Sequence, residues 1–470
     1  MSGTIRLGLN IPLFTASLIS IGLGTFTGMI GIWGYAAQKL AIPEWIKVGH
    51  AHDSWWAVLI MIAAVTLPSL PLARWFRNFV IAASFISPGL WLLSFYSYYA
   101  HGIESAKYLM PVFEILLFLS LLGVALVASG VNIPIITTRD KPATGRYDIV
   151  SNIEISRRIF LIPTIVAVIG VLAGFGLAGL FKAYHKPISP AALVQLHDHL
   201  VLISVSAVIS LLVLRVVNAS EKVFNLATRL MEISLPLTAL GLILFNFLGL
   251  SSLVWVVPAG IYFMIPIITF LTLIGVLPRS PSYNTYISAL RASLAVVYAM
   301  ILILVAQGAY ISMIWDTNPY VTVTFKQPQG QPYPGPYPTE FLGTAPVKGT
   351  PRGLENAHLS PGSWSHVAAM WLTILGLVGP NIFVERLRRP GLLYLFLITI
   401  PLAPLFNMIG RYLAWWPGLP EGAPGGIGAL WYAGHPLKGF NIISLFVISL
   451  VLLYLAPQKK IVEKSVSITK

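Results

Sequence analysis

Two histidine pairs with the same spacing are the residues of this chain best suited to carry chemistry. His50 and His52 are separated by one residue, and so are His197 and His199. The pairs lie 147 residues apart, and each precedes a long apolar run. A neutral imidazole is a common ligand of transition metals and of heme iron. We therefore predict that these four side chains bind a metal or a heme.

His366 is the fifth candidate ligand, near the start of a third apolar run. Aligning His52, His199 and His366 brings the three runs into register, which predicts an internal repeat. The remaining histidines, His101, His185 and His435, are isolated, and we interpret them as ordinary loop residues. The role of His358 stays open between loop and site.

The pair spacing decides what the histidines can share. Residues i and i+2 of an α-helix point about 200° apart, so the two members of a pair cannot bind one metal ion. They can serve two sites, each completed by a neighbouring helix. One of His50 and His52, with one of His197 and His199, is expected to hold a bis-histidine heme. A second heme would join His366 to a leftover histidine.

The composition defines the class of protein. With 56% hydrophobic and 10% charged residues over 470 positions, the chain has too little polar surface for a soluble globule. We predict an all-α polytopic membrane protein, a single transmembrane domain over residues 1–470. The zero cysteines exclude disulfides, iron–sulfur clusters and covalent c-type heme, so any metal must use His or oxygen ligands. The five candidate histidines suffice for two noncovalent b-type hemes, which are the expected cofactor.

Apolar windows predict twelve transmembrane helices. Of the 30 Lys and Arg residues, 20 fall on one side if the N-terminus is cytoplasmic. The positive-inside rule then places both termini in the cytoplasm of a cell-membrane protein, and all histidines on the outer side. The net charge of +14 follows from this topology, and no nucleic-acid partner is expected. The windows are 11–36, 53–73, 78–99, 109–136, 158–182, 197–217, 224–250, 253–277, 288–315, 364–384, 391–415 and 438–456.

Three four-helix units are predicted, over about residues 1–140, 150–280 and 285–460. Helices three, seven and eleven each carry a mid-helix proline, Pro88, Pro236 and Pro401. Helices two, six and ten carry the histidines, and a pseudo-threefold arrangement brings them together. A Pro/Gly-rich loop over 316–362 is predicted on the outer side, as a lid or linker or as a docking site.

Several polar residues near the predicted site have more than one possible role. Asp53 and Asp198 are predicted to cap their helices, with orientation of an imidazole as the alternative. Glu114 either accepts a proton from a quinol or pairs with a polar neighbour. Glu232 is expected to be partly solvated. Arg411 either contacts heme propionates or anchors the membrane interface.

Twelve helices in three arcs, with H-x-H on an innermost helix, resemble the heme-copper oxidase superfamily. In that family the pattern stands on the tenth helix, whereas here it is on the second and sixth. The copper ligands of the family are missing, since no His-Pro-Glu-Val-Tyr stands on the sixth helix and 224–250 has no histidine. The resemblance thus implies a divergent relative rather than an oxygen-reducing enzyme.

The apolar, cysteine-free chain is also similar to the membrane subunit of archaeal cytochrome b complexes. This resemblance implies oxidation of quinol near the outer face and transfer of electrons to an exposed cytochrome or a Rieske-type iron–sulfur protein. The leading hypothesis is therefore a heme b-binding electron-transfer subunit of a respiratory complex, in contact with membrane lipid. A secondary transporter of the twelve-helix type is the alternative, and a structural anchor is a third class.

Overall fold

A computed structural model describes most of the chain. The described residues are 3–35, 44–138, 145–176, 191–248, 250–251, 253–280, 285–315, 352–414 and 429–467. The centre of the predicted Pro/Gly-rich loop, 316–351, lies outside them.

Twelve helices long and apolar enough to cross a membrane confirm the predicted all-α polytopic class. Short π-helical segments extend α1 over Ile30–Tyr35 and α10 over Pro380–Arg386, and a 3₁₀ turn follows α2 over Leu67–Ser69. The helices are α1 Ile11–Met29, α2 Glu44–Thr66, α3 Arg74–His101, α4 Ala106–Ala128, α5 Arg158–Gly176, α6 Ala191–Val216, α7 Glu221–Leu248, α8 Leu253–Leu273, α9 Thr285–Trp315, α10 Arg352–Gly379, α11 Pro390–Ala414 and α12 Ala429–Ser467.

The histidine-bearing helices begin earlier than the apolar windows predict. In the sequence a proline directly precedes each of their starts, at positions 43, 190 and 351, and proline favours the first turn of a helix. The windows miss these starts because the first turns are polar. Two predictions were therefore wrong: Asp53 and Asp198 lie inside α2 and α6 and do not cap them, and 352–362 is helical rather than loop.

The helices pack as three sets of four. Within each set the first helix contacts the second and the third contacts the fourth. Neighbouring sets meet through α4 and α5, α8 and α9, and α12 and α1. Helices α2, α6 and α10 contact one another at the centre. The packing thus has the predicted three-unit form, while the exact repeat boundaries stay a prediction.

Burial is highest in the three central helices and in α1. In the most apolar windows of α2, α6 and α10, 72%, 72% and 78% of residues are buried. Helix α1 reaches 72%, and the other spans range from 28% to 56%. The outer helices expose large apolar side chains, among them Leu119, Leu240 and Ile443. These faces contact lipid, and the candidate histidines begin the protected central helices.

A small sheet joins the first two units, which the sequence analysis did not predict. Strand β1, Thr4–Asn10, leads into α1 and pairs antiparallel with β2, Asp148–Ser156, just before α5. Asn10 caps α1 by accepting from the Leu13 N–H, and its amide donates to Asp148 at 2.8 Å. Asp148 also pairs with Arg77 of α3. We call this end of the bundle the sheet end.

All described histidines lie near the opposite end, where α2, α6, α10 and α12 begin and α3 ends. We call it the histidine end. Arginines concentrate at the sheet end, where Arg157 donates to the Val127 carbonyl and Arg158 pairs with Glu232. The described histidines and these arginines thus lie at opposite ends of the bundle.

Single cysteines test this topology, because the natural chain has none. Ser105, which precedes α4 at the histidine end, and Glu154 of β2 are both exposed. On intact cells, a membrane-impermeant maleimide is expected to label Ser105→Cys at once and Glu154→Cys only after permeabilisation. Ser120→Cys, buried inside α4, is the control and should stay unlabelled. The reverse order of labelling would invert the proposed orientation.

Candidate functional site

Helix α1 holds His50 of α2. The His50 Nδ1 lies 2.7 Å from the Gly24 carbonyl oxygen, so the ring N–H donates to the backbone of the neighbouring helix. One turn further along α1, a Cβ placed on Gly28 would lie 2.7 Å from the same nitrogen. Only a residue without a side chain leaves room for the ring at this contact.

Helix α5 holds His197 of α6 in the same way. The His197 Nδ1 lies 3.0 Å from the Gly170 carbonyl oxygen. A Cβ on Gly174, four residues on, would lie 2.5 Å from that nitrogen. His50 and His197 thus occupy equivalent places in the first and second units, each against a G-x-x-x-G face of the preceding helix.

His52 and His366 share a second arrangement. The His52 Nδ1 lies 2.9 Å from the Val48 carbonyl oxygen, and the His366 Nδ1 lies 2.7 Å from that of Gly362. Both acceptors are four residues earlier on the histidine's own helix. This shared contact agrees with the sequence alignment of His366 to His52 rather than to His50.

The four Nδ1 contacts fix the chemistry of the rings. A carbonyl oxygen only accepts, so each Nδ1 carries the proton and each neutral imidazole keeps its lone pair on Nε2. Metal-binding histidines commonly donate the other ring N–H to a carbonyl, which fixes tautomer and orientation. The four rings therefore have the tautomer that a metal ligand requires.

His52 and His197 come together across two units. Their ring centroids are 5.8 Å apart, with the planes inclined by 23°. Two imidazoles at this separation would be close enough to share one metal ion, with metal–nitrogen bonds of about 2 Å. The predicted pairing of one histidine from each pair thus has a specific candidate in the structure.

Aromatic side chains of α2 and α3 surround His52. Trp91 stacks on it with ring centroids 5.0 Å apart, and Trp56 meets it edge-on at 5.6 Å. Phe95 extends the wall by stacking on Trp91. Trp91 and Phe95 are almost fully buried. These aromatic side chains pack around one side of His52.

His366 lies at the next contact between units. Its ring is 5.4 Å from Trp55 of α2, and only 5% of the residue is exposed. The His366 Nε2 has no hydrogen-bond partner among the described residues. A buried lone pair without a donor costs free energy, which a bound ligand would recover. Among the described residues, this buried nitrogen is a candidate ligand of a metal or a heme.

His199 points away from its pair partner, as the spacing predicts. Its ring lies edge-on to Trp255 of α8, 6.0 Å away. On α10, the residue two positions before His366 is Trp364, at the place that His50 and His197 take on their helices. The structure thus brings two histidines from different units together, His52 and His197. His199 faces α8 instead, away from the cleft between the first and second units; we use cleft for the contact region between two neighbouring units.

The other predicted residues are distributed as follows. Glu232 pairs with Arg158 and is 20% exposed, and Glu114 is half-buried on α4. His101 is exposed, whereas His435 lies against Trp364 with ring centroids 4.8 Å apart. The side chains of His185, His358 and Arg411 lie outside the described residues. Among the described side chains, no three His, Asp or Glu residues converge as for a single metal ion.

Comparisons with known proteins add no identification. No family model, curated protein or solved structure matches this chain. The functional argument therefore depends on the geometry of the chain itself.

Sequence reasoning missed the residues that hold the histidines. Gly24 and Gly28, like Gly170 and Gly174, stand four apart in α1 and α5, a pattern that permits close helix packing. Their spacing to the histidines was readable: 26 residues from Gly24 to His50 and 27 from Gly170 to His197. Asp53, also missed as a buried group, is 0% exposed and its carboxyl oxygens have no described partner.

The glycine contacts predict that alanine at these positions lowers the stability of the protein, whereas alanine usually stabilises a helix relative to glycine. Gly28→Ala and Gly174→Ala each place a methyl group against an imidazole ring, and overpacking of this kind costs about 1–3 kcal/mol. Gly260→Ala in α8 is the control, because nothing lies within 4 Å of its Cβ position. Replacing glycine by alanine inside a helix otherwise gains about 1 kcal/mol. Thermal unfolding in detergent should show lower melting temperatures for the first two variants and an equal or higher one for the control. Equal stabilities for all three would contradict the contacts.

Proposed function

We propose that this protein is a heme b-binding electron-transfer subunit of a respiratory membrane complex, with His52 and His197 as the axial ligands of one heme. The observation that carries the proposal is their 5.8 Å ring separation. Both rings also donate their Nδ1–H groups to backbone carbonyls, which directs the basic nitrogen away from those carbonyls. A bis-histidine b-type heme supplies one-electron transfer.

The surrounding residues suit that task. The Val48 and Gly170 carbonyls keep the two imidazoles in one orientation, so little rearrangement accompanies a change of charge. Trp56, Trp91 and Phe95 exclude water from one side of His52. Two rigid helices of different units provide the ligands, which makes the separation of the rings a property of the fold.

The repeated contacts select the ligands of a second heme. In the first proposed pair, the His52 ring donates to the carbonyl four residues earlier on its own helix, and the His197 ring donates to the preceding helix. His366 makes the same type of contact as His52, and His50 makes the same type of contact as His197. His366 of the third unit also contacts α2 of the first, at Trp55, as His52 contacts α6. We assign His50 and His366 to the second heme.

The third cleft, which His199 faces, has a different residue at the position opposite His199. The expected position on α10 is Trp364, whose indole cannot serve as an axial ligand. Two of the three clefts between units are thus equipped with two histidines, which supports two hemes rather than three. His199 remains a candidate residue of the third cleft.

Quinol oxidation and an exposed redox partner complete the proposal. The candidate ligands cluster at one end of the bundle, which the arginine distribution favours as the outer face of a cell membrane, with both termini cytoplasmic. Glu114 is a candidate proton acceptor for quinol near this end. Since the chain lacks cysteine, a cytochrome or a Rieske-type protein must receive the electrons as a separate subunit. Kinship with the heme-copper oxidase superfamily stays a prediction.

Alanine substitutions of the histidines test the pairing. His52→Ala and His197→Ala are expected to remove or perturb the same heme, and His50→Ala and His366→Ala the other, because loss of an axial ligand changes spin state and potential. The measurement is the reduced-minus-oxidised spectrum with heme quantified as pyridine hemochrome. His101→Ala, at an exposed position, is the matched control.

Two results would overturn the proposal in different ways. A folded wild-type protein without pigment would remove the heme function and favour the transporter. Pigment whose spectrum responds to His52→Ala and His197→Ala in different bands would keep the heme and reject the pairing.

A further inference from the structure

A pocket at the sheet end lies where the second and third units meet. It has a volume of about 490 Å³ and is lined by the turn after α8 and by the first two turns of α9. Arg279 follows α8, and Arg291 lies on α9, one turn after Ser288. No Asp or Glu is among the described residues that line the pocket. These residues therefore give it two positive charges and no negative one.

Backbone carbonyls hold both guanidinium groups in place. The Arg279 Nη1 donates to the Thr272 carbonyl at 3.0 Å, at the end of α8. The Arg291 Nη2 donates to the carbonyls of Val217 and Ser280, at 2.7 and 3.1 Å. These contacts use only some of the donors, because a guanidinium has five N–H groups. The two positive charges also repel each other, and an anion in the pocket would offset that repulsion.

Arg291 has a donor left over inside the protein. Only 6% of the residue is exposed, and its Nε–H is buried with no hydrogen-bond partner among the described residues. An unpaired donor on a buried charged group costs free energy, which an acceptor in the pocket would recover. A phosphate group is well suited to this task, since its oxygens match the fork of N–H groups on a guanidinium.

At the junction between the first and second units, the chain supplies its own carboxylate. There Arg77 of α3 pairs with Asp148, whose side chain is fully buried. At the junction between the second and third units, Glu221 begins α7 but is already paired with Arg215. The pocket thus lacks, among the described residues, the kind of anion that neutralises the equivalent end of the neighbouring junction.

We propose that this pocket binds the phosphate group of an anionic membrane lipid. Ile274 and Val276, close to the arginines in the chain, are 48% and 64% exposed, so apolar surface adjoins the positive charges. A lipid with a phosphate headgroup and apolar chains matches both features, whereas free phosphate would use only the charges. Because Arg279 follows α8 of the second unit and Arg291 belongs to α9 of the third, the bound phosphate connects the two units. This site is independent of heme binding.

The test uses the purified, delipidated full chain in a neutral detergent. Thermal unfolding is followed as phosphatidylglycerol, phosphatidylcholine or inorganic phosphate is added, and the stabilisation at each concentration gives an apparent affinity. The wild type is expected to bind phosphatidylglycerol about tenfold more tightly than phosphatidylcholine, which has no net charge, as for one hydrogen bond between charged groups. Inorganic phosphate at the same concentration should have little effect.

Variants of Ser288, an exposed residue of the pocket lining, localise the effect. Ser288→Glu places a carboxylate beside the arginines, so it should raise the melting temperature of the lipid-free protein and remove the preference for phosphatidylglycerol. Ser288→Gln has the same shape without the charge and should keep the preference. Asn152→Glu, exposed on β2 at the sheet end, makes the same change of net charge away from the pocket and should also keep it.

A second variant serves if Ser288→Glu does not fold. Arg279→Gln keeps an N–H donor for the Thr272 carbonyl and should weaken the preference by a similar factor. A preference that survives in both variants, or equal stabilisation of the wild type by the two lipids, would overturn the site. Loss of the preference in Asn152→Glu would also overturn it, by showing attraction to overall charge. Equal stabilisation by inorganic phosphate would overturn the lipid as the ligand.

Discussion

The hydrogen bond from an imidazole Nδ1–H to a backbone carbonyl is the interaction on which this site depends. At His50 and His197 the carbonyl belongs to a neighbouring helix, and a glycine one turn later lets the ring approach. The carbonyl of a helical residue normally accepts a hydrogen bond from the N–H four residues later in the same helix. To accept a second hydrogen bond from an imidazole, it must lie in close contact with the neighbouring helix. The contact fixes the ring in a region where an unpaired polar group would be costly. The tautomer, direction and rigidity of these two candidate ligands follow from it.

The threefold packing converts these local contacts into sites. Each central helix faces two clefts, and a pair of histidines at i and i+2 supplies one side chain to each. Helices α2 and α6 carry complete pairs, whereas α10 has Trp364 in place of the first member. A bis-histidine arrangement is therefore available in two clefts. On α10 the indole of Trp364 lies beside Lys438.

Much of this architecture was predictable from the sequence. The remaining features were not predictable, and each failure has a physical cause. Hydropathy predicted the twelve spans, since crossing the membrane requires long apolar runs. The pair spacing predicted that His197 and His199 would face different helices, as they do. The helix starts were misplaced because hydropathy ignores polar first turns and the proline signal before them. The pairing of β1 with β2 joins strands far apart in sequence, which local patterns do not encode. The choice of His52 as the partner of His197 depends on helix rotation, which spacing alone leaves undetermined.

The most direct measurement of the central claim is low-temperature electron paramagnetic resonance of the oxidised protein in membranes, with histidine labelled by ¹⁵N. The account predicts two low-spin ferric heme species, each with hyperfine coupling to two histidine nitrogens. A high-spin signal with a single coupled nitrogen, or no heme signal from the folded protein, would contradict it.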